Sequence, residues 1–298
     1  MIRVDIMKHD DEQSMREIVK QPFPHKDMSL HHIERVEDLN YLDSLEYKEG
    51  ECDMQTDKLS LKVYGIQTIR FSKLLTWLIR YCSKLKQLSL SFDIDREYNH
   101  FPLQIEGQTG LTHLTLQNWQ PNMAVGEELL EKSKDTLVSL ELIKCGLVSL
   151  SPLHGSLHLK SLSLCKQSHS HHFFTSNQQT LISLANLHSL EGGDLAPLLS
   201  SHIHSFPSLN TLTLTTTTDP LQWLYQPLPS LRTISVGKNI DIRRFLECNK
   251  HVKVIRAQSV SDDAVQVMRE HPWVRLQPEH SGCGDDEAII KAIEECIK

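Results

Sequence analysis

Histidine and cysteine are the residue types in this chain best suited to chemistry. Of 17 histidines, His169, His171 and His172 crowd into Ser-His-Ser-His-His at residues 168–172, and His202 and His204 form a second pair. Structural zinc sites set imidazoles at fixed spacing with cysteines, and hydrolytic ones use HExxH. Neither pattern is present, so no metal is expected and residues 168–172 are read as a solvated loop. The seven cysteines are odd in number, scattered and without a CxxC pair, which reads as reduced thiols, with Cys82, Cys145 and Cys248 as packing residues. GxSxG, a Walker loop and GxGxxG are all missing. Glu191-Gly192-Gly193-Asp194 reads as a bent, degenerate strand rather than a phosphate cradle. The expectation is a protein that is not an enzyme and carries no cofactor.

What must be positioned, then, is a surface. The 298 residues are 39% hydrophobic and 23% charged, enough to bury a core. Lys and Arg number 31 against 38 Asp and Glu, a net charge of −7. That disfavours a chain whose main task is gripping phosphates or docking on an anionic membrane, so neither nucleic acid nor membrane is expected as a partner. No run approaches the roughly 20 apolar residues of a membrane span. MIRVDIMKHDDEQSM has no long apolar stretch and meets acids too early for a secretory signal, so a cytoplasmic or nuclear protein is expected.

One pattern recurs. LKQLSL begins at Leu85, LTHLTL at Leu111, LVSLEL at Leu137, LKSLSL at Leu159 and LNTLTL at Leu209, with LRTISV at Leu231 and VKVIRA at Val252 as variants. A weaker copy, LHSLEG, begins at Leu187, and successive starts lie 26, 26, 22, 28, 22, 22 and 21 residues apart. Alternate side chains of a strand face opposite ways, so the fourth and sixth positions of LxxLxL enter the core together. Leu88, Leu114, Leu140, Leu162, Leu212 and Ile234 should be equivalent core positions in parallel strands. One repeat cannot hide such a face, but stacked neighbours can. Between strands, FSKLLTWLIRYCSK, EELLEKSKD, QQTLISLAN and DIRRFLECNK read as short helices, and Pro207 and Pro229 would stop the helices before their strands. The fold class is therefore α/β, a leucine-rich-repeat solenoid (horseshoe), right-handed by the usual crossover rule, with parallel strands on the concave side and short helices on the convex side.

The piece LLTWLIRYCSKLKQLSLSF resembles the helix-to-strand unit of leucine-rich repeats in F-box proteins and their ribonuclease-inhibitor-like relatives. VKVIRAQSVSDDAVQVMREHPWV is similar to the cysteine-containing variety, in which Ser261 and Asp262 would cap a helix, Val265 and Met268 would be buried, and His271-Pro272 would end it. Cys145 and Leu147 stand at that family's ninth and eleventh positions; Asp93, Trp119, Gln167 and Thr217 depart from the ninth-position Asn or Cys. An F-box is not recognisable in residues 1–60. Residues 1–55 read as a charged segment and degenerate cap, and residues 56–298 as the repeat domain, closed by a capping helix at 285–298 with Ile289, Ile290, Ile293 and Ile297 on one face.

The third, fifth and seventh positions of each repeat would line the concave side. The N-terminal half is the stronger candidate for binding a protein, through Gln87, Ser89, His113, Thr115, Gln117, Glu141 and Ile143, with Phe92 and Trp119 at the strand ends. A competing site is the loop between Cys165 and Leu181, whose Phe173 and Phe174 would be costly to expose without purpose. The functional expectation is a non-catalytic protein-recognition module, the substrate-binding part of an F-box-like subunit of a cullin-type ubiquitin ligase, with an adaptor and a substrate protein as partners. The alternative is a repeat-protein regulator of an enzyme, of GTPase-activating or inhibitor type.

Overall fold

The computed structural model describes residues 2–6, 25–31, 57–64, 75, 79, 84–92, 109–120, 124–165, 170–193, 195–215, 222–236, 240–257, 266–267 and 269–278. The architecture is α/β, with all-parallel strands joined by crossovers that hold a few short helices. Two compact units divide the chain, Met1–Leu159 and Lys160–Lys298.

In unit 1, β1 (Ile2–Ile6), β2 (His25–His31), β3 (Lys58–Tyr64), β4 (Gln87–Phe92), β5 (His113–Gln117) and β6 (Ser139–Ile143) pair in sequence order, each parallel to the next. β1 and β2 lie in the segment read from sequence as charged and capping. Helix α1 (Ala124–Ser133) fills the crossover between β5 and β6. In unit 2, β7 (Ser161–Cys165), β8 (Ser189–Gly192), β9 (Thr211–Leu214), β10 (Thr233–Val236), β11 (Val254–Ala257) and β12 (Arg275–Pro278) likewise pair in order and in parallel. Their crossovers include α2 (Ser170–Ile182), α3 (Ala196–His202) and α4 (Ile242–Cys248). Asp241 caps α4 through its carboxylate, which accepts from the Arg244 backbone N–H at 3.0 Å.

The register follows the LxxLxL spacing. Leu88, Leu114 and Leu140 are paired across β4–β6, and Leu162, Leu190, Leu212, Ile234 and Ile255 across β7–β11, all buried. Gly192 fills an inward place in β8, where a Cβ would come within 3.2 Å of Leu164 Cβ.

A main-chain device recurs with the repeat. In unit 1 the Lys86 carbonyl accepts from Thr112 and His113 N–H, and the Thr112 carbonyl from Val138 and Ser139 N–H. In unit 2 the carbonyls of Lys160, His188, Asn210 and Arg232 each accept two consecutive N–H groups of the next repeat, and that of Lys253 accepts from Arg275. The donors are the residue just ahead of each strand and the strand's first residue, so each strand start is tied to the preceding repeat.

The chain leaves β5 and β6 through residues in the left-handed region, Asn118 (φ 58°) and Lys144 (φ 51°). Asn tolerates that conformation and Lys less so. Asn118 Nδ2 donates to the Phe92 carbonyl at 2.8 Å, one repeat back. In the following repeat Cys145 Sγ donates to the Leu116 carbonyl at 3.2 Å. Burial pushes the Cys145 thiol up to about 11, against backbone hydrogen bonds with Trp119 and Ile143 that lower it. In unit 2 the fully buried Asn249 does similar work: Nδ2 donates to the carbonyls of Leu224, Gln226 and Phe245, and Oδ1 accepts from Leu228 N–H.

The expected helix at residues 71–84 is helical at its two described positions, Leu75 and Ile79. The expected capping helix at 285–298, the Ser261-Asp262 cap, Val265, Met268 and Cys82 lie outside the described residues. Cys248 is half-buried rather than packed in the core. Leu147 is 44% exposed, and Val148 takes the buried place after the Lys144 turn.

Candidate functional site

The outward positions of β4–β6 form a surface of three columns. Gln87, His113 and Ser139 stand side by side, then Ser89, Thr115 and Glu141, then Ser91, Gln117 and Ile143. Neighbouring strands are about 4.8 Å apart, so each column is a row of adjacent side chains. His113 is exposed and the other eight are half-buried, while the alternating leucines beneath them are sealed from solvent. The period-two strand fixes this division.

Three polar contacts order the surface. Thr115 Oγ1 donates to Glu141 Oε2 at 3.1 Å, joining β5 to β6 and holding the carboxylate over the sheet. Thr112 Oγ1 lies 3.1 Å from the Lys86 carbonyl and 2.9 Å from His113 Nδ1. One arrangement satisfies both: Thr112 gives its single hydroxyl proton to the carbonyl, and Nδ1–H donates to Thr112.

Four of the sequence-selected residues are not on this surface. Phe92 ends β4 on the inward parity of an alternating strand and is buried. Trp119 is completely buried, its indole lying where a Cβ on Gly126 of α1 would have to go. Phe173 and Phe174 belong to helix α2, not to an exposed loop, and both are buried edge-to-face with centroids 5.5 Å apart. Their large apolar area is covered by the protein itself. The helical spacing that carries them inward, Phe173, Asn177, Thr180, Leu181 and Leu184, is visible in the sequence but includes polar residues at buried positions. The histidine run is partly helical too: α2 begins at Ser170, and His172 is an exposed helix residue.

In unit 2 the comparable outward positions are also mostly hydroxyl-bearing. Ser163 Oγ donates to Glu191 Oε2 at 3.1 Å, and Cys165 Sγ lies 3.2 Å from Ser163 Oγ. This repeats the Thr115–Glu141 arrangement with a hydroxyl on one strand holding a glutamate on the next. Toward the end of the unit the surface changes to Arg256, Arg275 and Gln277, with Arg256 Nε donating to Gln277 Oε1 at 3.1 Å.

Among the described residues no three His, Cys, Asp or Glu side chains are grouped to hold a metal ion, and no helix is long and apolar enough to cross a membrane. The arrangement on β4–β6 offers hydrogen-bond donors and acceptors on a rigid sheet, with one carboxylate and one imidazole in different columns. No protein-family model matches the chain, nor does any curated protein.

Proposed function

We propose that this chain is a non-catalytic protein-recognition module whose contact surface is the outward side of β4–β6. The observation that carries the reading is the register, which sets nine partly exposed side chains in three columns over sealed leucines. A surface fixed by a hydrogen-bonded sheet loses little conformational freedom on binding. Ile143 supplies an apolar contact at one corner, beside Gln117, with Thr115 and Glu141 as neighbouring polar contacts.

The finer architectural reading is a leucine-rich-repeat solenoid. It is supported by the recurrence of LxxLxL at 21 to 28 residues and by the carbonyl device that recurs in step with it. The finer functional reading is the substrate-binding part of an F-box-like subunit of a cullin-type ubiquitin ligase, acting in the cytoplasm or nucleus. Its support is the sequence resemblance of LLTWLIRYCSKLKQLSLSF to that family's repeats.

The test is capture from cells by the tagged full chain, wild type against Gln117→Ala with Ile143→Ala, with co-purifying proteins identified by mass spectrometry. A partner held by wild type and lost by the folded variant is expected, together with a cullin adaptor. Retention by the variant overturns the surface assignment. Partner loss without any adaptor keeps recognition and removes the ligase assignment.

A further inference from the structure

The charge of this protein is unevenly placed. Residues 222–278 contain nine Lys and Arg against five Asp and Glu, a local +4 in a chain whose net charge is −7. The structure places two of those cations on the neighbouring strands β11 and β12 and two more immediately ahead of β10 and β11. Val254 pairs with Arg275 and Arg256 with Gln277, while Ile255 and Leu276 between them are buried. Arg256 and Arg275 therefore leave β11 and β12 on the same outward side, as diagonal neighbours. Arg232 and Lys253 stand immediately before β10 and β11, joined through their main chains: Lys253 N–H donates to the Arg232 carbonyl, and Arg275 N–H to the Lys253 carbonyl, each at 2.8 Å. All four are exposed.

None of the four has a carboxylate partner among the described residues. Among the described residues, Arg256 meets only the amide oxygen of Gln277, and Arg232 only the carbonyls of Pro229 and Leu231. Arg243, by contrast, is paired with Glu270 through two bonds of 2.7 and 3.4 Å. The Gln277 contact uses Nε alone, leaving the two terminal nitrogens of Arg256 for a carboxylate in the forked geometry that guanidinium favours.

We propose that the outward side of β10–β12 docks an acidic peptide segment of a partner protein, through Arg232, Lys253, Arg256 and Arg275. This surface is separate from the one on β4–β6 and does not depend on it. Charge complementarity names the occupant, and extent decides its class. Four cations within about two strand spacings match a short run of Asp and Glu. A nucleic acid long enough for useful phosphate release would run beyond them onto an otherwise acidic chain. With a screening length of about 8 Å at physiological salt, a short acidic segment meets mainly this local field.

The test uses the full chain and fluorescence anisotropy, with a short labelled Asp/Glu peptide and a single-stranded oligonucleotide of equal charge as probes. The peptide should bind with an affinity that falls as salt rises. Arg256→Gln with Arg275→Gln should weaken it about tenfold. Lys144→Gln with Lys160→Gln, the same charge removed elsewhere, should leave it unchanged. Arg256→Lys with Arg275→Lys should recover part of the affinity, and Arg232→Gln with Lys253→Gln replaces the first pair if circular dichroism shows that pair unfolded. Absence of salt-sensitive peptide binding, equal loss in the control variant, or tighter binding of the oligonucleotide would each overturn the proposal.

Discussion

Replacing Asn249 by Ala should cost unit 2 more stability than most single changes. The side chain is fully buried and joins the end of α4 to the segment Leu224–Leu228 by two donated bonds of 3.2 Å and one accepted bond of 2.8 Å, with a further donation at 3.1 Å back to Phe245 of α4 itself. Truncation leaves the buried Leu228 N–H without its acceptor, a penalty of about 1–3 kcal/mol. It also withdraws the amide from three carbonyls, at a net of about 0.5–1.5 kcal/mol for each bond that finds no substitute. If none is replaced the sum is about 2.5–7.5 kcal/mol, a large share of the roughly 5–15 kcal/mol that holds a domain folded. Urea unfolding followed by circular dichroism measures it, with the slope showing that the same transition is compared. Asn249→Asp sharpens the argument. Its oxygens can still accept from Leu228, but an ionised carboxylate would face three carbonyls with no proton to give. Such a carboxyl has a folded pKa raised above its unfolded value. Its protonated form, which can donate once, contributes stability that is complete below about pH 4 and lost as pH rises through the folded pKa. The gap between Asn249→Asp and wild type should therefore be wider at pH 7 than at pH 4. A loss below about 1 kcal/mol for Asn249→Ala, or a pH-independent gap for Asn249→Asp, would refute the network as the source of stability.

Leu140→Ala, at the sealed centre of β6, should lower stability by about 2–5 kcal/mol in the same urea assay. Gly126→Ala should cost about 1–3 kcal/mol and alter the tryptophan fluorescence spectrum, because the added methyl competes with the Trp119 indole. The thiol of Cys145 is raised by burial from 9.0 to about 11, so the folded state favours its protonated form. That contribution, at most about 3 kcal/mol, should be present below pH 9, fade between pH 9 and 11, and vanish from the alkaline profile of Cys145→Ala. At neutral pH the half-buried Cys165 and Cys248 should be alkylated before Cys145, as read by peptide mass spectrometry.

The leucine register was legible because period-two alternation within LxxLxL leaves one choice of face, and the described strands follow it. Phe92 was misread by treating a strand end as exposed when its parity already pointed inward. Phe173 and Phe174 were missed for a different reason. The buried stripe of α2 includes Asn177, whose Nδ2 donates to the Phe173 carbonyl at 3.0 Å, and Thr180, so an apolar count finds no continuous stripe. The turn after β5 places the bridging amide at Asn118, and Trp119, the next residue, is buried as core. The contact between Thr115 and Glu141 depends on which residues pair across strands, information that no single segment carries. The basic group at β10–β12 also becomes visible only when register brings Arg256 and Arg275, 19 positions apart, onto one side.

The residues whose carbonyls link one repeat of unit 2 to the next are Lys160, His188, Asn210, Arg232 and Lys253. They have no common side-chain chemistry, because the joint is made by main-chain atoms. The exterior can therefore be edited one residue at a time, reversing sign or adding a contact, without altering the alignment of the strands. Divergence of binding specificity and retention of the scaffold are separable at these positions. A designer seeking a new partner could rewrite this row before touching any leucine.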